Sequence, residues 1–222
     1  MHAVARSGVA IVAALVMLAQ PIFAFQSPLS DESVREAYFL GQRHDGSLER
    51  LLNKYSKHLP PPKQGPYIAW VTLLTPFIQV AKSSDKYIGS YSAQQAALDH
   101  RGIQETVEIS IKILLTDSYG AIIAAPASTR SGEPQTYELR QSDFWKDFQV
   151  QVFEGDETRE PAHFDGKADF ACSRHGGNCT LIGATLHLEF PAAAFNSDSA
   201  TIQVIPPEGP KVSVDFDLTA LR

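Results

Sequence analysis

Polar and apolar residues alternate without a break after Glu105. Val107, Ile109, Ile111, Ile113 and Leu115 fall on one side of an extended chain, and Thr106, Glu108, Ser110 and Lys112 on the other. Successive side chains on a strand point to opposite faces, so this period of two predicts a half-buried strand. The same period recurs in Phe148, Val150 and Val152 around Gln149 and Gln151, and in Leu186, Leu188 and Phe190 around His187 and Glu189. It returns in Ile202 and Val204 around Gln203, and in Val212, Val214, Phe216 and Leu218 around Ser213, Asp215 and Asp217. Residues 67–74 are apolar on both faces, as in a covered strand, and Pro76 is expected to force a kink, bulge or edge position. Turn chemistry separates the runs. Asp117-Ser118-Tyr119-Gly120 should let residues 121–125 return beside the preceding strand, and Pro206-Pro207-Glu208-Gly209 is a tight turn. Short strands joined by turns predict a mainly β chain, an antiparallel β-sandwich of the Ig-like or a related kind.

Residues 25–65 follow a different period. Ser30 precedes Asp31 and Glu32, a cap followed by acids at the positive end of a helix dipole. Val34, Ala37, Tyr38 and Gly41 recur at spacings of three and four, which predicts one buried helical face. His44-Asp45-Gly46 breaks the chain. Ser47 can then cap a second helix, with Leu48, Leu51, Leu52 and Tyr55 on its apolar face. Pro60-Pro61-Pro62 ends any helix and stiffens the connection. The segment reads as a helical hairpin with a Pro-rich linker, docked on a sandwich domain spanning residues 66–222. Within that domain, residues 92–100 (SAQQAALDH) predict one short helix.

The first 24 residues look like neither element. Arg6 lies in a short basic start, residues 8–19 form an uncharged apolar run, Pro21 breaks it, and Ala24 offers the small residue that precedes a cut. This is the layout of a secretory signal peptide, with cleavage expected after Ala24. The run is shorter than the ~20 residues that span hydrocarbon, and no later stretch reaches that length, so no membrane span is expected after signal removal. Composition narrows the picture further. Of 222 residues, 44% are hydrophobic and 20% charged, which excludes a disordered chain. The formal charge is −6, and loss of Arg6 with the leader makes it more negative. Such a chain repels phosphate backbones, so nucleic acid is not an expected partner.

Candidate chemistry is sparse. Cys172 and Cys179 are the only cysteines and bracket a Gly-rich turn. In an exported protein they are most simply a disulfide. A metal site using Cys172, His175 and Cys179 and a nucleophilic thiol are the alternatives, although the spacing fits no usual zinc pattern. Residues 154–160 (EGDETRE) hold four carboxylates, which could hold calcium, but a solvated turn between strands explains them more simply. Asp99, His100 and Glu105 are close enough to suggest an acid–base pair. The simpler reading is a polar helix end, where His100 and Arg101 suit the negative dipole terminus and Gly102 supplies the stop. No GxSxG elbow, GxGxxG loop, phosphate loop or HExxH pair is present, so no catalytic residue, metal or cofactor is assigned. Phe144, Trp145 and Lys146 form the aromatic surface best suited to recognition. Phe144 and Phe148 can pack inward and leave Trp145 half exposed beside a cation.

The segments Arg35-Glu36-Ala37-Tyr38-Phe39-Leu40-Gly41 and Gly176-Gly177-Asn178-Cys179-Thr180-Leu181-Ile182-Gly183-Ala184, with the ending 200–222, resemble exported proteins of acidobacteria-type soil bacteria. The resemblance covers most of the chain after the leader. It implies a bacterial exported protein and carries no activity with it. The expectation is a secreted or periplasmic protein, a non-catalytic binding or structural module with an envelope or extracellular partner. The alternative is a hydrolase acting on cell-envelope or extracellular polymers, with an active site assembled by loops.

Overall fold

The computed structural model describes residues 25–87, 89, 91–124, 136–173, 177 and 179–222. The expected leader and its cleavage site, residue 125 of the expected return strand, His175 and Asn178 lie outside the described residues. The chain runs α1 (Asp31–Gln42), α2 (Ser47–Leu52), β1 (Ser56–His58), β2 (Tyr67–Leu74), α3 (Pro76–Asp85), α4 (Ala93–His100), β3 (Thr106–Leu114), β4 (Ile122–Ala124), β5 (Tyr137–Leu139), β6 (Gln149–Glu154), β7 (Glu157–Arg159), β8 (His163–Cys172), β9 (Cys179–Pro191), β10 (Ser199–Ile205) and β11 (Val212–Asp217). It is mainly β, and its paired strands are antiparallel. One sheet has the order β1-β2-β3-β9-β8, a second β11-β10-β6-β7, and β4 and β5 form a separate ribbon.

The alternation in β3 is reproduced residue by residue: Val107, Ile109, Ile111 and Ile113 are buried and the intervening side chains are not. Pairing of Ile109 with Leu188 and of Ile111 with Leu186 continues the apolar face onto β9. From the other sheet, Val152, Ile202, Val204, Val214 and Phe216 enter the same core, giving a sandwich-like arrangement. A slip of one residue in any of these ladders would turn the core face to water, so the pattern also fixes register.

The helical hairpin is present. Ser30 caps α1 by accepting the Ser33 N–H, and Ser33, Val34, Ala37, Tyr38 and Gly41 form its buried face. The second cap differs from expectation. Gly46, at φ 76°, occupies the cap of α2, and Asp45 Oδ1 accepts the Ser47 N–H at 2.8 Å. A left-handed backbone there favours glycine, which leaves Ser47 as the first helical residue. The segment does more than dock: β1 pairs with β2, and Phe25, Val34 and Tyr55 share one core cluster with the sheets.

Two expectations are corrected. Pro76 neither kinks nor edges a strand but opens α3 at its first turn, where a proline loses no hydrogen bond and its fixed φ suits the helix. Residues 122–124 do not return beside β3. They pair with β5, because β3 is already flanked by β2 and β9 and has no free edge. The helices cover the end of the sandwich where β2 stops and β3 starts. Gln79, on α3, ties the two by donating from Nε2 to the carbonyls of Leu74 at 3.1 Å and Thr106 at 2.7 Å. At the same end Phe25 packs on Phe195, which meets Phe190 edge-on.

Candidate functional site

The helical layer leaves a cleft of about 290 Å³ between α3, α4 and the start of β3. Its lining includes Tyr38, Val80, Tyr87, Tyr91, Asp99, His100, Ile103 and Glu105, drawn from α1, α3, α4 and the loops beside them. Ser92 caps α4 by accepting the Gln95 N–H, which sets Tyr91 just outside the helix and Asp99 in its last turn. Tyr91 O–H then donates to Asp99 Oδ2 at 2.8 Å, and Gln95 Nε2 donates to Asp99 Oδ1 at 2.6 Å. Burial and then Asp99 push the Tyr91 phenol up to about 12, so it remains a neutral donor across the physiological range.

His100 and Glu105 meet at the inner end of the cleft, with Nε2 and Oε1 2.8 Å apart. The helix-end reading of His100 holds for its position, but it missed this contact. Glu105 has two further donors, the Leu29 N–H to Oε1 at 2.6 Å and Ser27 O–H to Oε2 at 2.7 Å. Burial by itself raises this carboxyl. His100, Leu29 and Ser27 outweigh burial and hold it below the ordinary glutamate value. Glu105 therefore anchors residues 25–30 to the sandwich. The pair also borders a second hollow lined by Pro28, Asp31, Val34 and Pro191.

The cysteines join β8 to β9 at facing positions, so in this structure neither sulfur is a free nucleophile or metal ligand. Closing so short a loop contributes about 2.5 kcal/mol in the chain-entropy account. Among the described residues, no group of three or more His, Cys, Asp or Glu is placed to hold a metal ion. His163 lies on β8, 3.6 Å from Asp165, with both side chains largely exposed.

The acidic run at 154–160 divides into unlike parts. Gly155 and Asp156 form the turn between β6 and β7, as expected. Glu154 is the exception, buried rather than solvated. Its Oε2 accepts Arg159 Nε at 2.9 Å and also Nη2, while its Oε1 accepts the backbone N–H groups of Asn196 and Ser197. The final inward position of the β6 alternation falls on this residue, and a buried carboxylate needs such partners.

Phe144 is buried between Tyr119 and Phe148, with centroids 6.3 and 6.1 Å away, so it supports the aromatic surface from below. Trp145 is half-buried, edge-on to Phe164 and seated on Gly166, where a Cβ would overlap the indole ring. Lys146 is exposed, pairs with Asp143 at 3.0 Å, and lies 5.8 Å from the Trp145 centroid. This surface and the helical cleft are built from separate residues. Tyr87 and Tyr91 carry no sequence signal beyond a nearby helix cap, and Asp99 stands out in the sequence only beside His100 and Glu105. No described helix is long and apolar enough to cross a membrane. No protein-family model and no curated protein matches this chain.

Proposed function

We propose that the protein is an exported, non-catalytic binding module whose ligand site is the tyrosine-lined cleft between α3 and α4. The observation that carries the reading is the state of Glu105. The one carboxylate in the cleft that meets a histidine already accepts from His100, Leu29 and Ser27, and so acts as an anchor for the chain. A general base works best with a value near the working pH, whereas these three donors hold Glu105 below even the ordinary glutamate value. The rest of the wall is apolar and aromatic with a few polar groups, the composition of a ligand pocket. The leader pattern at 1–24 and the disulfide support export, since disulfides persist in oxidising compartments. The expected partner is an envelope or extracellular molecule, and the acidic net charge argues against nucleic acid. Intact mass of the exported protein should correspond to a chain beginning at Phe25; a mass that retains residues 1–24 would overturn the processing.

One observation favours the hydrolase reading, the 2.8 Å His100–Glu105 contact bordering a cleft. The deciding experiment is a screen of esters, glycans, peptides and phosphoesters with and without chelator. The module reading expects no turnover above background. Turnover lost in His100→Asn would replace it with the hydrolase.

A further inference from the structure

The charge of the cleft wall is one-sided. Among the described residues it carries three tyrosines and two carboxylates, Asp99 and Glu105, and neither lysine nor arginine. The carboxylates are not equivalent. Glu105 faces His100 and accepts two further hydrogen bonds, from Leu29 and Ser27, whereas Asp99 is held by the neutral groups of Tyr91 and Gln95 and is paired with no cation among the described residues. Tyr87 and Tyr91 stack with centroids 4.3 Å apart and planes 24° apart, and Tyr38 tilts against Tyr91 at 6.1 Å. Tyr38 O–H also donates to the Tyr91 carbonyl, which fixes the pair to the helical layer. Aromatic faces are the negative regions of their rings and attract cations. A fixed, uncompensated carboxylate beside them adds to that attraction and repels anions.

We propose that this cleft binds an organic ammonium ion, its charged nitrogen against Asp99 and the Tyr87–Tyr91 pair and its alkyl groups against Val80 and Ile103. The inference rests on the reading of the cleft as a ligand site and adds the ligand's chemical class. A neutral sugar could stack on the aromatic platform and donate hydroxyls to Asp99, but only a cation also uses the net charge of the carboxylate and the ring faces. A carboxylate or phosphate ligand would meet an uncompensated negative charge. The same head group could belong to a free amine or to a lipid.

Calorimetric titration of the folded protein with choline, with its neutral isostere in which carbon replaces the nitrogen, and with glucose and inorganic phosphate tests the class. Choline should bind, and the isostere about tenfold more weakly, because only the cation uses the ring faces and the carboxylate. Asp99→Asn and Tyr87→Ala alter exposed side chains and should each weaken choline about fivefold or more while melting like the parent. Ser83→Trp, which fills the cleft from an exposed position, should abolish binding. Co-sedimentation with phosphatidylcholine vesicles would identify a lipid head group, and choline binding without co-sedimentation a free amine. Equal affinity for choline and its isostere, unchanged binding in Asp99→Asn, or preference for glucose or phosphate would overturn the cationic class and leave a binding cleft in place. Binding unaffected by Ser83→Trp would remove the site, and failure of every probe would overturn the proposal. Turnover of any substrate in the screen above would instead displace the module reading.

Discussion

Gly41→Ala is expected to destabilise the protein, against the sign that helix propensity predicts. Alanine in place of glycine inside a helix ordinarily gains about 1 kcal/mol. Gly41, however, lies where α1 crosses α3, and a Cβ there would overlap the Ala81 carbonyl oxygen and Ser84 Oγ and approach the Asp85 amide nitrogen at 2.9 Å. Two of those atoms are backbone and cannot turn aside. The Ser84 hydroxyl donates to the carbonyls of Tyr38 and Ala81, so displacing it leaves a buried polar group short of partners. Overpacking costs roughly 1–3 kcal/mol and a stranded buried hydroxyl about as much, which together exceed the propensity gain. A net loss of about 2–4 kcal/mol follows for alanine, and valine should cost more. Urea unfolding checks this: a midpoint at or above the parent's would show that the crossing has room to spare.

Glu154→Ala should be comparably damaging. Removing the carboxylate strands the N–H groups of Asn196 and Ser197, which it joins to the β6–β7 hairpin, and leaves Arg159 only its exposed partner Glu157. Breaking a buried pair by deleting one partner costs about 3–5 kcal/mol, here at the lower end because Arg159 is partly exposed. The same residue predicts acid sensitivity. Burial raises the Glu154 carboxyl, but Arg159 and the two backbone N–H groups more than offset it, so the net shift is downward. Glu105 is lowered in the same way. A carboxyl whose folded-state value lies below its unfolded one contributes its full stability above the ordinary glutamate value. That contribution is lost as pH falls through the folded-state value. Stability should therefore be flat above about pH 5 and fall steadily below about pH 4.5. Glu154→Gln should be less stable than the parent at neutral pH and show a shallower acid decline. A decline as steep as the parent's would assign acid sensitivity elsewhere.

Much of the framework is legible in the sequence. The buried sides of β3, β6, β9, β10 and β11 and of α1 follow from local spacing, because a strand or helix repeats its geometry every few residues. The cysteine pairing was legible for a similar reason, since seven residues of separation and a turn leave few other geometries. β8 was not legible. It is an edge strand mostly exposed along its length, so burial imposes no alternation on it. α3 was missed because proline reads as a breaker inside an element and as a starter at its first turn, and only position tells the two apart.

By itself, then, the sequence determined which side of each periodic element faces inward, where the main turns fall and that the two cysteines can meet. These are properties of neighbours along the chain. Only the tertiary structure decided that residues 122–124 pair with β5, that Glu154 is buried while the acids beside it are not, and that Tyr38, Tyr87, Tyr91, Asp99 and Glu105 converge on one cleft. Those outcomes depend on which sheet edges are already occupied and which faces pack together. Residues far apart in the chain settle both through burial and hydrogen bonding, and neither leaves a periodic trace in the sequence.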